Sequence, residues 1–255
     1  MTPLIHSART LEDPITLSYA QALNLVQRGA FAATHGIMGY GTNYTFLVTL
    51  CLDNIEALAI YKPRRGERPL WDFPDGTLYQ REVAAFIVSE ALGWYIVPPS
   101  TVRDGEHGPG SVQIFIHHDP ERHYYNFEEQ HQEQLRRVCL FDILINNADR
   151  KGGHLLLDSA ERIWGIDHGL CFNLEPKLRT VIWDFVGQPI EADYLACIER
   201  FVQILDADES SLRQQLDELL DVNEVLMLSK RTHRLLKSGY YPLPGRGPNR
   251  PWPAI

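Results

Sequence analysis

Several things are scarce in this 255-residue chain, and each scarcity removes a class of explanation. The four cysteines, Cys51, Cys139, Cys171 and Cys197, lie far apart and form no CxxC pair. They read as reduced thiols, mostly in the core, of a cytoplasmic protein. Basic residues are few, with 24 Lys and Arg against 33 Asp and Glu and a formal net charge of −9. Binding a phosphate backbone needs clustered cations, so a nucleic-acid partner is not expected. Stable membrane anchoring is not expected either, because each basic residue near an anionic surface contributes only about 1 kcal/mol. No apolar run approaches the roughly 20 residues that span a bilayer. The N-terminus lacks the apolar stretch of a signal peptide, and there is no internal repeat. What is present is 44% hydrophobic residues, ordinary for a globular protein. The length suits one large domain or two lobes.

One stretch organises the rest. Asn146-Asn147-Ala148-Asp149-Arg150-Lys151-Gly152-Gly153-His154 runs into Leu155-Leu156-Leu157. A polar turn, Asp158 to Arg162, separates it from Ile163-Trp164-Gly165-Ile166-Asp167-His168-Gly169. This pattern predicts two short strands closed by a turn. Such a hairpin returns the chain to its starting point, bringing Asp149 and His154 near Asp167, which follows Asp149 by 18 residues. Two carboxylates and an imidazole converging at one strand end can hold a divalent metal and orient a hydroxyl, the two requirements of phosphoryl transfer. The same three residues would otherwise serve as a helix end, a turn and a strand cap.

Taken in order, residues 1–16 are polar and punctuated by proline, an irregular lead-in. Ser18 to Arg28 predicts a short amphipathic helix with Ala20, Leu23, Leu25 and Val26 as its apolar positions. A strand enters the glycine-rich Gly36 to Asn43, followed by strands at Tyr44 to Leu52 and Ile55 to Tyr61 about an Asp53-Asn54 turn. Gly39 and Gly41 allow backbone to approach a phosphate, with Thr42 and Asn43 adding polar contacts; the other reading is a flexible turn. Lys62 ends the return strand. A helix from Leu78 to Leu92, capped by Gly93, carries Glu82 within its apolar row. A carboxylate there needs a partner, because an unpaired buried charge costs several kcal/mol. Lys62 is the candidate; the alternatives are that Glu82 snorkels to solvent or pairs with Arg81 or Arg65. Trp94 to Val102, containing Val97-Pro98-Pro99, is an edge strand or extended segment, and Ser111 to Ile116 is a clean strand. His117, His118 and His123 lack the ligand spacing of a zinc site. Phe127 to Asn146 predicts one long helix that delivers the chain to Asp149. Residues 170–190 are irregular, and helices follow at Ala192 to Leu205 and Ser210 to Lys237. The tail, Tyr241 to Ile255, has five prolines in 15 residues. It is either mobile or laid along the surface as polyproline II, a possible ligand for a protein partner.

The order glycine-rich hairpin, Lys, Glu on the next helix, long helix and final hairpin resembles a two-lobed kinase, although no HRD or DFG is present. The local sequences look like the phosphatidylinositol 3-/4-kinase superfamily, most closely its type II 4-kinases and small bacterial members. There the catalytic loop reads D-R-x-x-x-N and the metal motif I-D-x-G. Here the matching residues are Asp149 to His154 and Ile166 to Gly169. Gly110 to Ile116 resembles the strand into the adenine-binding hinge. The resemblance covers roughly residues 30–205. It implies an α+β, protein-kinase-like fold with an antiparallel-sheet N-lobe over 30–118 and a mainly helical C-lobe over 119–240. These would be flanked by the 1–29 lead-in and helix and the 241–255 tail.

It also implies roles. ATP and Mg²⁺ or Mn²⁺ would be the cofactors. Lys62 would contact the α- and β-phosphates, with Glu82 holding it. Gly39, Gly41, Thr42 and Asn43 would lie over the phosphates, and the backbone of Gln113, Ile114, Phe115 and Ile116 would receive adenine. Asp149 would act as base or orienter for an acceptor hydroxyl, and Asp167 with His154 would bind the metal. Arg150 would pair near Asp167 or with the following segment. His154 stands where the family has Asn, and an imidazole favours Mn²⁺ or softer ions over Mg²⁺. The segment after Asp167 offers only Lys177 and Arg179 for an anionic headgroup. The acceptor could therefore be a protein, a small molecule or a phosphoinositide. A catalytically silent ATP-binding module and an AMP transferase on the same fold are the alternatives to a kinase.

Overall fold

A computed structural model describes residues 2–37, 44–207 and 209–255. The chain opens with a hairpin, β1 (Leu4–Thr10) and β2 (Asp13–Ser18), and not with the irregular lead-in that its composition suggests. Ile5 faces Leu17 across this pair, and both are buried. The pair gains its long-range support where the His117 N–H donates to the His6 carbonyl at 2.9 Å. Two strands alone are marginal in water, so that docking stabilises what the local sequence does not announce.

Helix α1 (Tyr19–Arg28) starts at Ser18, whose side chain accepts from the Gln21 N–H while Gln21 reaches back to the Ser18 N–H. Its buried row is Tyr19, Ala22, Leu25 and Val26. A five-stranded antiparallel sheet follows, built from β3 (Ala30–Ile37), β4 (Phe46–Leu52), β5 (Ile55–Pro63), β6 (Ser100–Gly105) and β7 (Gly108–Ile114) in the order β3-β4-β5-β7-β6. The 38–43 segment, with Gly39, Gly41, Thr42 and Asn43, lies outside the described residues. Because side chains alternate along a strand, β5 sends Ala57, Ala59 and Tyr61 to one face and Leu58, Ile60 and Lys62 to the other.

Helix α2 (Leu78–Ala91) crosses from β5 to β6. Its first turn is capped from a distance: the Glu67 carboxylate accepts from the N–H groups of Leu78 and Tyr79 at 3.1 and 2.8 Å. The C-lobe begins with α3 (Gln132–Ile145), five residues later than the long apolar pattern predicts. Its prospective first turn is diverted because the fully buried His131 accepts at Nδ1 from the Glu128 N–H and meets Glu161 through Nε2 at 2.9 Å. α3 ends at Asn146 in left-handed conformation, φ 54°. The hairpin β8 (Leu155–Leu157) and β9 (Ile163–Gly165) then forms as its pattern predicts. Trp164 is fully buried there, and its indole N–H donates to Asp158 at 2.9 Å. Burying a side chain of that size contributes about 1.5–3 kcal/mol or more.

After an irregular stretch come α4 (Ala192–Leu205), α5 (Ser211–Asp217) and α6 (Val222–Ser238). The last two are separate helices where the sequence pattern suggests one. The break falls at Asp221, which caps α6 through a capping box with Glu224. One hydrophobic cluster runs through both lobes. The tail is laid on the C-lobe, with Tyr241 buried. The carbonyl of Asn249 accepts from Thr180 and from the Trp183 indole, and that of Ala254 accepts from Gly152.

Candidate active site

Four elements meet between the lobes. From β5, the Lys62 ammonium lies 2.5 Å from Glu82 Oε1 on α2 and 3.0 Å from Asp167 Oδ1, two residues beyond β9. The second Glu82 oxygen accepts the His168 N–H at 2.8 Å. The second Asp167 oxygen lies 3.2 Å from His154 Nε2, at the end of the short 3₁₀ turn Gly152–His154. Asp167 itself is left-handed, φ 61°. Asp tolerates that conformation better than most residues, and non-glycine residues held there cluster at working sites. The Glu82 expected to need a partner inside an apolar row has therefore found Lys62.

The electrostatics follow from crowding. Burial presses the Lys62 amine down, but Asp167 and then Glu82 override it and hold the amine above its ordinary range. Lys62 in turn holds Asp167 far below the usual carboxylate range. Burial raises Glu82, with Lys62 opposing. Burial lowers His154 to about 4, so its imidazole is neutral at pH 7. His154 Nδ1 lies 3.4 Å from the Lys151 backbone N, and its Nε2 faces the Asp167 carboxylate. Asp149 takes its own partner, Lys151 Nζ, at 3.1 Å, and its backbone N–H donates to Asn147 Oδ1. Burial raises its carboxyl.

Beneath these groups sits Arg150, fully buried. Its guanidinium donates to Asp142 through Nε and Nη2, to the Ile166 carbonyl at 2.8 Å and to His168 Nε2 at 2.6 Å. Its backbone pairs with Arg179 and Val181. Asp142 was not singled out from the sequence, although it interrupts the apolar row of α3 between Val138 and Ile145 as Glu82 interrupts that of α2. Lys151 was also missed. Its signal was a cation two residues after Asp149.

The Ile114 N–H donates to Pro99 and the Phe115 N–H to Leu58 within the sheet, and the Gln113 side chain donates to Ser100. The backbone donors of Ile114 and Phe115 are therefore spent within the fold, and the Ile116 carbonyl is met by His118 Nδ1 at 2.8 Å. Leu47 and Ile60 oppose each other across β4 and β5 on the same face as Lys62, and both are half-buried. Among the described residues no cluster of three or more His, Cys, Asp or Glu forms a self-contained metal site. Asp167 with a neutral His154 supplies two converging donors, which fits a cation that takes its remaining ligands from phosphate and water. Among the described residues no helix is long and apolar enough to cross a membrane.

Comparison with known proteins places this geometry. The family model described as phosphatidylinositol 3- and 4-kinase matches residues 24–233. Protein Rv2133c of Mycobacterium tuberculosis is 37% identical, over 84% of this chain and 88% of its own. Phosphatidylinositol 4-kinase gamma 4 of Arabidopsis thaliana is 28% identical over 51% of this chain, but that match spans only 27% of the plant protein. Among solved structures, hydra Fam20 with sugar aligns with a TM-score of 0.51 at 16% identity, covering 86% of this chain and 87% of that one. The Helicobacter pylori proinflammatory kinase CtkA aligns at 0.50 and 15%, covering 84% and 94%. At such identities these two structures establish the two-lobed, kinase-like α+β fold.

Proposed function

We propose that this chain, which belongs to the phosphatidylinositol 3- and 4-kinase family, is an ATP-dependent phosphotransferase that moves the γ-phosphate to a hydroxyl. The observation that carries the reading is the Lys62 ammonium held between Glu82 and Asp167 across the two lobes. One positive charge shared by two carboxylates is a site where a phosphate and a divalent cation can exchange partners. Lys62 binds the α- and β-phosphates and Glu82 keeps it there. Leu47 and Ile60 cover the adenine, and hinge backbone near Ile116 receives its edge. Asp167 and His154 hold Mg²⁺ or Mn²⁺, which when bound neutralises charge on the β- and γ-phosphates. Asp149 orients the acceptor hydroxyl and takes its proton. Its raised pKa makes it a better acceptor for that proton, and Lys151 keeps it ionised until then. The test is ADP formation from ATP with Mg²⁺ or Mn²⁺, with wild type beside Asp149→Ala and Asp167→Ala. Turnover that survives either substitution unchanged sinks the assignment.

A second reading is a silent nucleotide-binding module. It is favoured by one observation: an imidazole, 3.2 Å from Asp167, stands at the family's Asn position. Metal-dependent ATP binding with no turnover, restored to turnover by His154→Asn, would select it.

A further inference from the structure

The residue before Glu82 carries a charge that the proposed reaction does not use. Arg81 is 1% exposed, and its guanidinium reaches three parts of the chain. Nη2 donates to Glu224 Oε1 at 2.6 Å, Nη1 to the Cys171 carbonyl at 2.8 Å, and Nε to Thr77 Oγ1 at 3.3 Å. The Phe73 ring centroid lies 5.1 Å from Arg81 Cζ. Glu224, itself buried, sits in the first turn of α6, where its other oxygen accepts the Asp221 N–H at 3.1 Å. Cys171 lies four residues beyond Asp167. A single side chain therefore ties α2 to the segment leaving Asp167 and to a C-lobe helix.

Stability alone does not account for this pair. Desolvating a guanidinium and a carboxylate costs several kcal/mol per ion, and well-packed apolar residues in their place are often neutral or better. A charged fork adds direction: its planar donors fix the rotation and height of the helix that carries them. Glu82, the next residue on α2, depends on both. Its oxygens reach Lys62 on one side and the His168 N–H on the other. A rotation of α2 would take Glu82 from Lys62 and leave the ammonium to Asp167 alone.

We propose that Arg81 and Glu224 are positioning residues for Lys62, fixing α2 to the C-lobe so that Glu82 holds the ammonium between the lobes. This rests on the ATP-site reading given above. The pair holds α2 in its engaged position from within the chain, and the property that senses it is nucleotide affinity more than the chemical step.

The experiment measures KM for ATP, kcat and thermal unfolding for wild type, Glu224→Gln, the Arg81→Met/Glu224→Met double variant and Lys62→Met. The double variant replaces the pair with apolar bulk, so it is expected to melt close to wild type. Its KM for ATP rises by about 3- to 30-fold, with kcat within about threefold. Arg81→Lys, which keeps the charge but loses the fork, recovers part of the KM loss. Glu224→Gln keeps the shape should the double variant fold poorly, and it shows the same split between KM and kcat. A folded double variant with wild-type KM, alongside a Lys62→Met variant that has lost turnover, overturns this proposal and leaves the ATP site standing. Unchanged turnover in Lys62→Met overturns both.

Discussion

Two charged clusters meet where Arg150 reaches Ile166 and His168, on either side of Asp167, and they are built on opposite plans. Arg150 and Asp142 are both wholly buried, and the guanidinium's donors are divided among a carboxylate, a carbonyl and an imidazole. Lys62, Glu82 and Asp167 are held by a single ammonium shared between two carboxylates, and the Asp167 side chain is 49% exposed. A planar fork in a dry site has one arrangement, whereas an ammonium is a compact charge that can change partners. The difference separates a frame from working groups. The Arg150 cluster is sealed in the interior, whereas the Lys62 cluster opens to solvent at Asp167 and sets one cation against two carboxylates.

The largest expected effects fall on the open cluster's chemistry. Asp149→Ala or Asp167→Ala should lower ADP formation by about 10²- to 10⁴-fold while the protein still unfolds cooperatively. Breaking the frame should do the reverse. Asp142→Ala leaves Arg150 buried without its carboxylate and should cost about 3–5 kcal/mol of stability, read by denaturant unfolding. Lys62→Met should abolish turnover yet cost less stability than Asp142→Ala; the opposite ranking would erase the distinction between the clusters.

A smaller effect concerns pH. Burial depresses His154 to about 4, below its unfolded value near 6.5. Between those values the unfolded chain binds a proton that the folded chain refuses. The associated stability is fully present above pH 6.5 and is lost as pH falls toward 4, a contribution on the order of 1–3 kcal/mol. His154→Asn should flatten that part of the stability-against-pH curve, and an unchanged curve would show that His154 does not carry it.

The smallest effect tests the tail's seat on the hairpin. A Cβ on Gly152 would meet the Tyr125 ring at 3.0 and 3.1 Å and the Ala254 carbonyl at 3.5 Å. Gly152→Ala should therefore displace the ring slightly, costing about 1 kcal/mol or less and only a few-fold in kcat.

What could be read in the sequence was local or self-announcing. The β8–β9 hairpin follows from two apolar triplets about a polar turn. The need of Glu82 for a partner follows from its place in an apolar row, and α4 begins and ends where its pattern does. The opening hairpin was hidden because its support comes from distant parts of the chain, the packing of β1 on β5 and the His117 N–H more than a hundred residues away. The break before α6 was visible in the Asp221–Glu224 capping pattern, but the apolar run across it dominates. Asp142 gave the same signal as Glu82, but its partner Arg150, eight residues on, was read only toward Asp167 or the following segment. Arg81 and Glu224 meet across 143 residues, a pairing that no local spacing encodes. That the Ile114 and Phe115 donors are taken up follows from sheet register, which residue types do not reveal.

The most direct test of the open cluster is a calorimetric titration of ATP into the protein with Mn²⁺, with Mg²⁺ and with chelator, for wild type and Asp167→Ala. The account predicts ATP binding that needs a divalent cation in wild type and loses that dependence, with most of its affinity, in Asp167→Ala. Equal binding in chelator, or equal binding by the two proteins, would contradict it.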